Sequence, residues 1–137
     1  MTKQALITGG TKGIGRAVAD VLARAGYDLT LTYGADTVAA ELAGALAAEK
    51  LLLLTNVEGI YRDINDPGSL VSSISAADAR AWIQDGTIAG GMIPKVEACL
   101  TALAGGARKA HIIDGRLAHA IILELYTSAG IGTQLEP

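Results

Sequence analysis

Ala5-Leu6-Ile7-Thr8-Gly9-Gly10-Thr11-Lys12-Gly13-Ile14-Gly15 carries the first structural signals of the chain. A short apolar run reads as a strand and a glycine-rich stretch follows it. Ile14, Ala17, Val18, Val21, Leu22 and Ala25 then recur at helical spacing. Gly26 stops that helix, and Leu29-Thr30-Leu31-Thr32-Tyr33 reads as a second strand. Strands alternating with helices imply a parallel sheet joined by right-handed crossovers. Glycines between strand and helix permit a tight turn, and the helix start offers free N–H groups to a phosphate. The stretch is not a P-loop, because Arg16-Ala17 follows Gly15. A plain strand-to-helix connector accounts for the turn equally well.

The alternation continues downstream. Asp36 to about Ala48 predicts a helix, with Asp36 at the capping position and Val38, Ala39, Leu42, Ala45 and Leu46 as its apolar set. Leu51–Leu54 is wholly apolar, as a central buried strand should be. The stretch from Asn56 to Ser73 reads as loop, with a turn at Asp66-Pro67-Gly68. Ser75 caps a helix that ends near Gly86, and another helix spans Met92–Ala104 before Gly105-Gly106. A strand at Ala110–Ile113, a helix at Leu117–Leu125 and an edge strand at Gly132–Leu135 complete the pattern. The expected fold is one three-layer αβα domain over residues 1–137, doubly wound, mainly parallel and Rossmann-like.

Composition agrees with a core of aliphatic side chains. Half of the 137 residues are hydrophobic, Phe is absent, and Trp82 is the only tryptophan. A net charge of −3 argues against a nucleic-acid partner. Cys99 is the one cysteine, so neither an intrachain disulfide nor a thiolate zinc site is expected. No metal ligands are assigned. With no leader segment and no membrane-length apolar run, the expectation is a cytoplasmic protein without a membrane partner.

Two resemblances overlay this reading. Thr8-Gly9-Gly10-Thr11-Lys12-Gly13-Ile14-Gly15 resembles the glycine fingerprint of the short-chain dehydrogenase/reductase family, and the likeness covers residues 1–33. It implies that Gly9, Thr11, Lys12, Gly13, Ile14 and Gly15 line a dinucleotide pyrophosphate, with Lys12 favouring NADP. The family's catalytic Tyr and Lys four residues apart are missing. Tyr27, Tyr33, Tyr61 and Tyr126 are followed at that spacing by Leu31, Thr37, Asn65 and Gly130. Oxidoreductase activity is therefore the least favoured reading.

From residue 35 to 137 the chain is similar to the ATP-binding half of acetylglutamate kinase. The motifs are Leu54-Thr55-Asn56-Val57-Glu58-Gly59, Gly90-Gly91-Met92-Ile93-Pro94-Lys95, His111-Ile112-Ile113-Asp114-Gly115-Arg116 and Gly130-Ile131-Gly132-Thr133. The resemblance implies that Lys95 stabilises a transferring phosphoryl group and that Asp36 organises the catalytic lysines. It also implies that Asn56, Gly59 and Tyr61 border ATP with magnesium, as do Gly90, Gly91 and Met92. Departures exist: the family's Lys-x-Gly-Gly stretch reads Ile7-Thr8-Gly9-Gly10 here, Thr32 and Gly34 replace an Asn pair, and the acetylglutamate-binding half has no counterpart. His111, Glu124 and Gly130 match positions tied to arginine inhibition in some members. Plainer readings stand beside these: Asp36 as a helix cap, Lys95 as a solvated helix lysine, and His111 as an ordinary strand histidine.

The switch of likeness between Tyr33 and Ala35 leads to the expectation of an engineered chimeric scaffold without evolved catalysis. The alternatives are a nucleotide-binding module and a residual acetylglutamate-kinase-like phosphotransferase. A nucleotide or phosphate is the expected small partner, and a homodimer is a further expectation.

Overall fold

The centre of the molecule is the strand Leu51–Thr55 (β3). The computed structural model describes residues 3–8, 24, 27–32, 36–126 and 130–137. Leu51 and Leu53 are completely buried on one face of β3, and Leu52 is buried on the other. Both faces are therefore covered, which is why the run carries no polar alternation.

Around it lie β1 (Lys3–Thr8), β2 (Tyr27–Thr32), β4 (Ser73–Ser75), β5 (Ala110–Asp114) and β6 (Thr133–Glu136). Their order is β2-β1-β3-β5-β6-β4. β2, β1, β3 and β5 run parallel, with Leu6 opposite Leu51 and Leu53 opposite Ile112. β6 is antiparallel to β5 and parallel to β4.

Four helices among the described residues supply the outer layers: α1 (Asp36–Ala45), α2 (Ala76–Gln84), α3 (Ile93–Ala104) and α4 (Ala120–Tyr126). The first three pack with Leu51, Leu53 and Ile112, whereas Ala120 and Ile121 of α4 pack with Leu52 and Ile113 on the opposite face. This is the expected three-layer, doubly wound arrangement. α1 and α3 cross closely at two glycines, where a Cβ on Gly44 would stand 2.8 Å from the Gly105 Cα.

Several boundaries differ from the sequence reading. The last strand is not at the edge; β4 is, and it lies at the end of a stretch read as loop. Its three residues Ser-Ile-Ser are too short to carry an alternating pattern. α1 ends at Ala45, and Ala47 takes a positive φ of 46°. α4 starts at Ala120, after His119 at φ 62°, rather than at Leu117. Ser75 caps α2 as expected, its hydroxyl accepting from the Asp78 N–H at 3.0 Å. No helix among the described residues is long and apolar enough to cross a membrane.

Candidate functional site at the carboxyl edge of the sheet

A crossover helix runs back against its parallel strands, so its N-terminus lies beside their carboxyl ends. α1 links β2 to β3 and α3 leads into β5, so Asp36 and Lys95 both start helices at that edge. The fold brings them together across 59 positions: Lys95 Nζ lies 3.2 Å from Asp36 Oδ2. Both side chains are about one-quarter to one-third exposed (26% and 30%), so the pair is reachable from solvent. Behind it, Cys99 is fully buried, and desolvation pushes its thiol up to about 12. That thiol is an inert packing group at neutral pH.

The approach to Lys95 is a short 3₁₀ turn at Gly90–Met92. Gly90 has φ +56°, which favours glycine. Yet among the described residues a Cβ on either Gly90 or Gly91 would meet nothing within 4 Å. Packing among the described residues therefore does not account for the smallness of this turn. Met92 leans on the core.

Asn56, Gly59 and Tyr61 follow β3 at the same edge. Asn56 is exposed. Gly59 is buried against Thr133, whose Oγ1 would be 2.5 Å from an added Cβ. The Tyr61 hydroxyl donates to Glu58 Oε2, and that bond to a carboxylate raises its pKa. Across the edge, Asp114 takes a bidentate grip from Arg116, with Nε on Oδ1 at 2.9 Å and Nη2 on Oδ2 at 2.7 Å, and hydrogen bonding to the guanidinium lowers the Asp114 pKa. Glu58, Leu70, Ser72, Asp114, Gly130 and Gly132 line a cavity of about 350 Å³ there. The expected phosphate turn, Gly9, Thr11, Lys12, Gly13, Ile14 and Gly15, lies outside the described residues. β1 ends at Thr8, at the same edge of the sheet.

A second constellation is buried. Lys50 Nζ is 2.6 Å from Glu124 Oε1, and His111 Nδ1 is 2.8 Å from the same oxygen. The histidine contact is close but not aligned as a hydrogen bond. The other oxygen, Oε2, accepts from the Ile131 N–H at 3.1 Å. Burial holds the His111 pKa below its ordinary value; Glu124 opposes this and Lys50 adds to it. His111 is thus part of a buried ion cluster rather than an ordinary strand histidine. Lys50 was not legible as a member: only its position before a buried strand hinted at it. Among the described residues no three metal-ligating side chains converge.

A sequence model of the amino acid kinase family matches residues 12–114. Acetylglutamate kinase of Moorella thermoacetica is 57% identical over 103 residues, covering 75% of this chain and 35% of that protein. Acetylglutamate kinase of Parasynechococcus marenigrum is 49% identical over 124 residues, covering 90% of this chain and 42% of that protein. Among solved structures, N-acetylglutamate synthase from Neisseria gonorrhoeae, complexed with coenzyme A and N-acetyl-glutamate, superposes with a TM-score of 0.70. That match is 26% identical and covers 90% of this chain and 31% of the other. The chain spans well under half the length of these relatives, 35% and 42% for the two kinases.

These matches correct two expectations. A match of 124 residues in a chain of 137 cannot begin after residue 14. It therefore covers at least residues 14–33 of the stretch read as dehydrogenase-like, and neither a dehydrogenase fragment nor NADP binding draws support from it. Identities of 49% and 57% to kinases likewise overturn the engineered, non-catalytic scaffold. In the fold, β1 joins β2 on one side and β3 on the other.

Proposed function

The chain belongs to the amino acid kinase family, and on that premise we propose that it supplies the nucleotide-binding half of an ATP-dependent phosphotransferase of the acetylglutamate kinase type. The Lys95–Asp36 pair, 3.2 Å apart at the mouth of the sheet, carries this reading. A carboxylate acceptor is already an anion, so transfer to it needs no general base. One carboxylate oxygen bonds to the γ-phosphorus, the bond to the β,γ-bridging oxygen breaks, and ADP leaves with that electron pair. What the protein must add is position and positive charge. Lys95 supplies the charge, and Asp36 fixes the direction of its ammonium group. Gly90 and Gly91, with no described atom within 4 Å of where a Cβ would be, let the backbone approach the phosphates, and Met92 backs the turn. Asn56, Gly59 and Tyr61 border the nucleoside side. Magnesium enters with ATP and neutralises phosphate charge. The acceptor's own site belongs to the part of the relatives that this chain does not match.

Calorimetric titration of the purified chain with magnesium–ATP tests the proposal. Saturable binding is expected, weakened about tenfold or more in Lys95→Ala, as for loss of a charge-assisted contact to phosphate. Binding that is absent, or unchanged in Lys95→Ala, contradicts it.

A further inference from the structure

The hydroxyl of Thr133 is a junction that no motif-level role explains. The side chain is fully buried at the start of β6. Its Oγ1 accepts from the Ile60 N–H at 2.8 Å and donates to the Val71 carbonyl at 2.6 Å. One hydroxyl therefore joins three pieces of chain: β6, the segment that follows β3, and the stretch leading into β4. The main chain adds a link of its own between the last two, with the Val71 N–H on the Ile60 carbonyl at 2.9 Å.

The same three pieces form walls of the carboxyl-edge cavity, through Glu58, Leu70, Ser72 and Gly132. Gly59 is trapped between them, since a Cβ there would be 2.5 Å from Thr133 Oγ1 and 3.1 Å from Leu70 Cδ1. A valine in place of Thr133 would keep the shape but leave a buried N–H and a partly buried C=O without this partner. Burial without a partner is costly, so both segments would shift to recover one.

We propose that Thr133 is a positioning residue for nucleotide binding, holding the Gly59–Tyr61 segment at the edge of the site through its two hydrogen bonds, the one to Ile60 buried and the one to Val71 partly so. The proposal rests on the nucleotide-binding reading above. Its test therefore reads the hydrogen bond and the ligand separately, in the full chain. Amide exchange at Ile60 reports the bond, and magnesium–ATP titration reports the site. Thr133→Val is expected to lose about tenfold in Ile60 protection and about tenfold in ATP affinity, the order set by one buried hydrogen bond. It should still melt cooperatively. Thr133→Ser keeps the hydroxyl and should stay within about threefold of the parent in both. Should Thr133→Val not fold, Thr133→Ala removes the same hydroxyl with less bulk and should lose Ile60 protection and ATP affinity in the same way. A folded Thr133→Val with parental ATP affinity overturns the proposal, as does a Thr133→Ser that fails to rescue. A parent chain that binds no ATP overturns the nucleotide reading instead, recognisable because Ile60 protection then still separates the Val and Ser variants.

Discussion

Glu124 is the most constrained charged residue among those described, because its two oxygens serve Lys50, His111 and the Ile131 N–H while the side chain is only 4% exposed. Removing one partner from a buried pair strands the other charge, and with Lys50 22% exposed the loss falls at the lower end of about 3–5 kcal/mol. Glu124→Ala should therefore lower unfolding stability by about that amount in urea denaturation. A loss under about 1 kcal/mol would mean that water reaches Lys50 easily. The histidine adds a pH dependence with a definite sign. Its folded pKa lies below the unfolded value of 6.5, chiefly through desolvation. The unfolded chain thus binds more protons between the two values. Stability is complete above pH 6.5 and is lost as pH falls from there towards the folded pKa. In parallel denaturations at descending pH, His111→Gln should remove this component. A parent chain that gains stability over the variant on acidification would reverse the argument.

At the scale of elements, the crossing of α1 and α3 is what brings Asp36 to Lys95. Gly44 and Gly105 let the two helices approach so closely that a methyl on Gly44 would lie 2.8 Å from the facing Cα. Backbone cannot yield as a long side chain can, so Gly44→Ala should cost about 1–3 kcal/mol by overpacking, despite alanine's better helix propensity. Thermal melting measures it, and an unchanged or raised Tm would show that the helices are free to separate. Elements of this kind were readable where periodicity was long. The Leu51–Leu54 run, the Ser75 cap and the α3 stripe of Val96, Cys99, Leu100 and Leu103 each fit the structure. β4 was not readable, because three residues carry no period, and its pairing depends on β6, about sixty residues away. The antiparallel turn of β6 was hidden for a similar reason: Gly132 at φ +77° lies with its would-be Cβ against the Ile112 carbonyl, a tertiary constraint.

At the scale of the molecule, the sequence motifs named Lys95 and Asp36, and folding brought them within 3.2 Å. Lys50 and Thr133 escaped notice as contributors because their partners are remote: Lys50 meets Glu124 across 74 positions and Thr133 meets Ile60 across 73. A change of local likeness near residue 34 suggested two origins, yet the family match over residues 12–114 and a kinase match of 124 residues both run across it. Local glycine patterns recur wherever a strand turns into a helix, so they discriminate lineage less well than a long match does.

The central claim is that the carboxyl edge of this sheet binds a nucleotide between the Gly59–Tyr61 and Gly90–Lys95 segments. Amide chemical-shift mapping with a non-hydrolysable magnesium–ATP analogue tests it most directly. The account predicts saturable shifts concentrated at Asn56, Gly59, Tyr61, Gly90, Gly91 and Lys95, with the α4 amides of Ala120–Tyr126 nearly still. Shifts confined to α4, or no shifts at millimolar analogue, would contradict it.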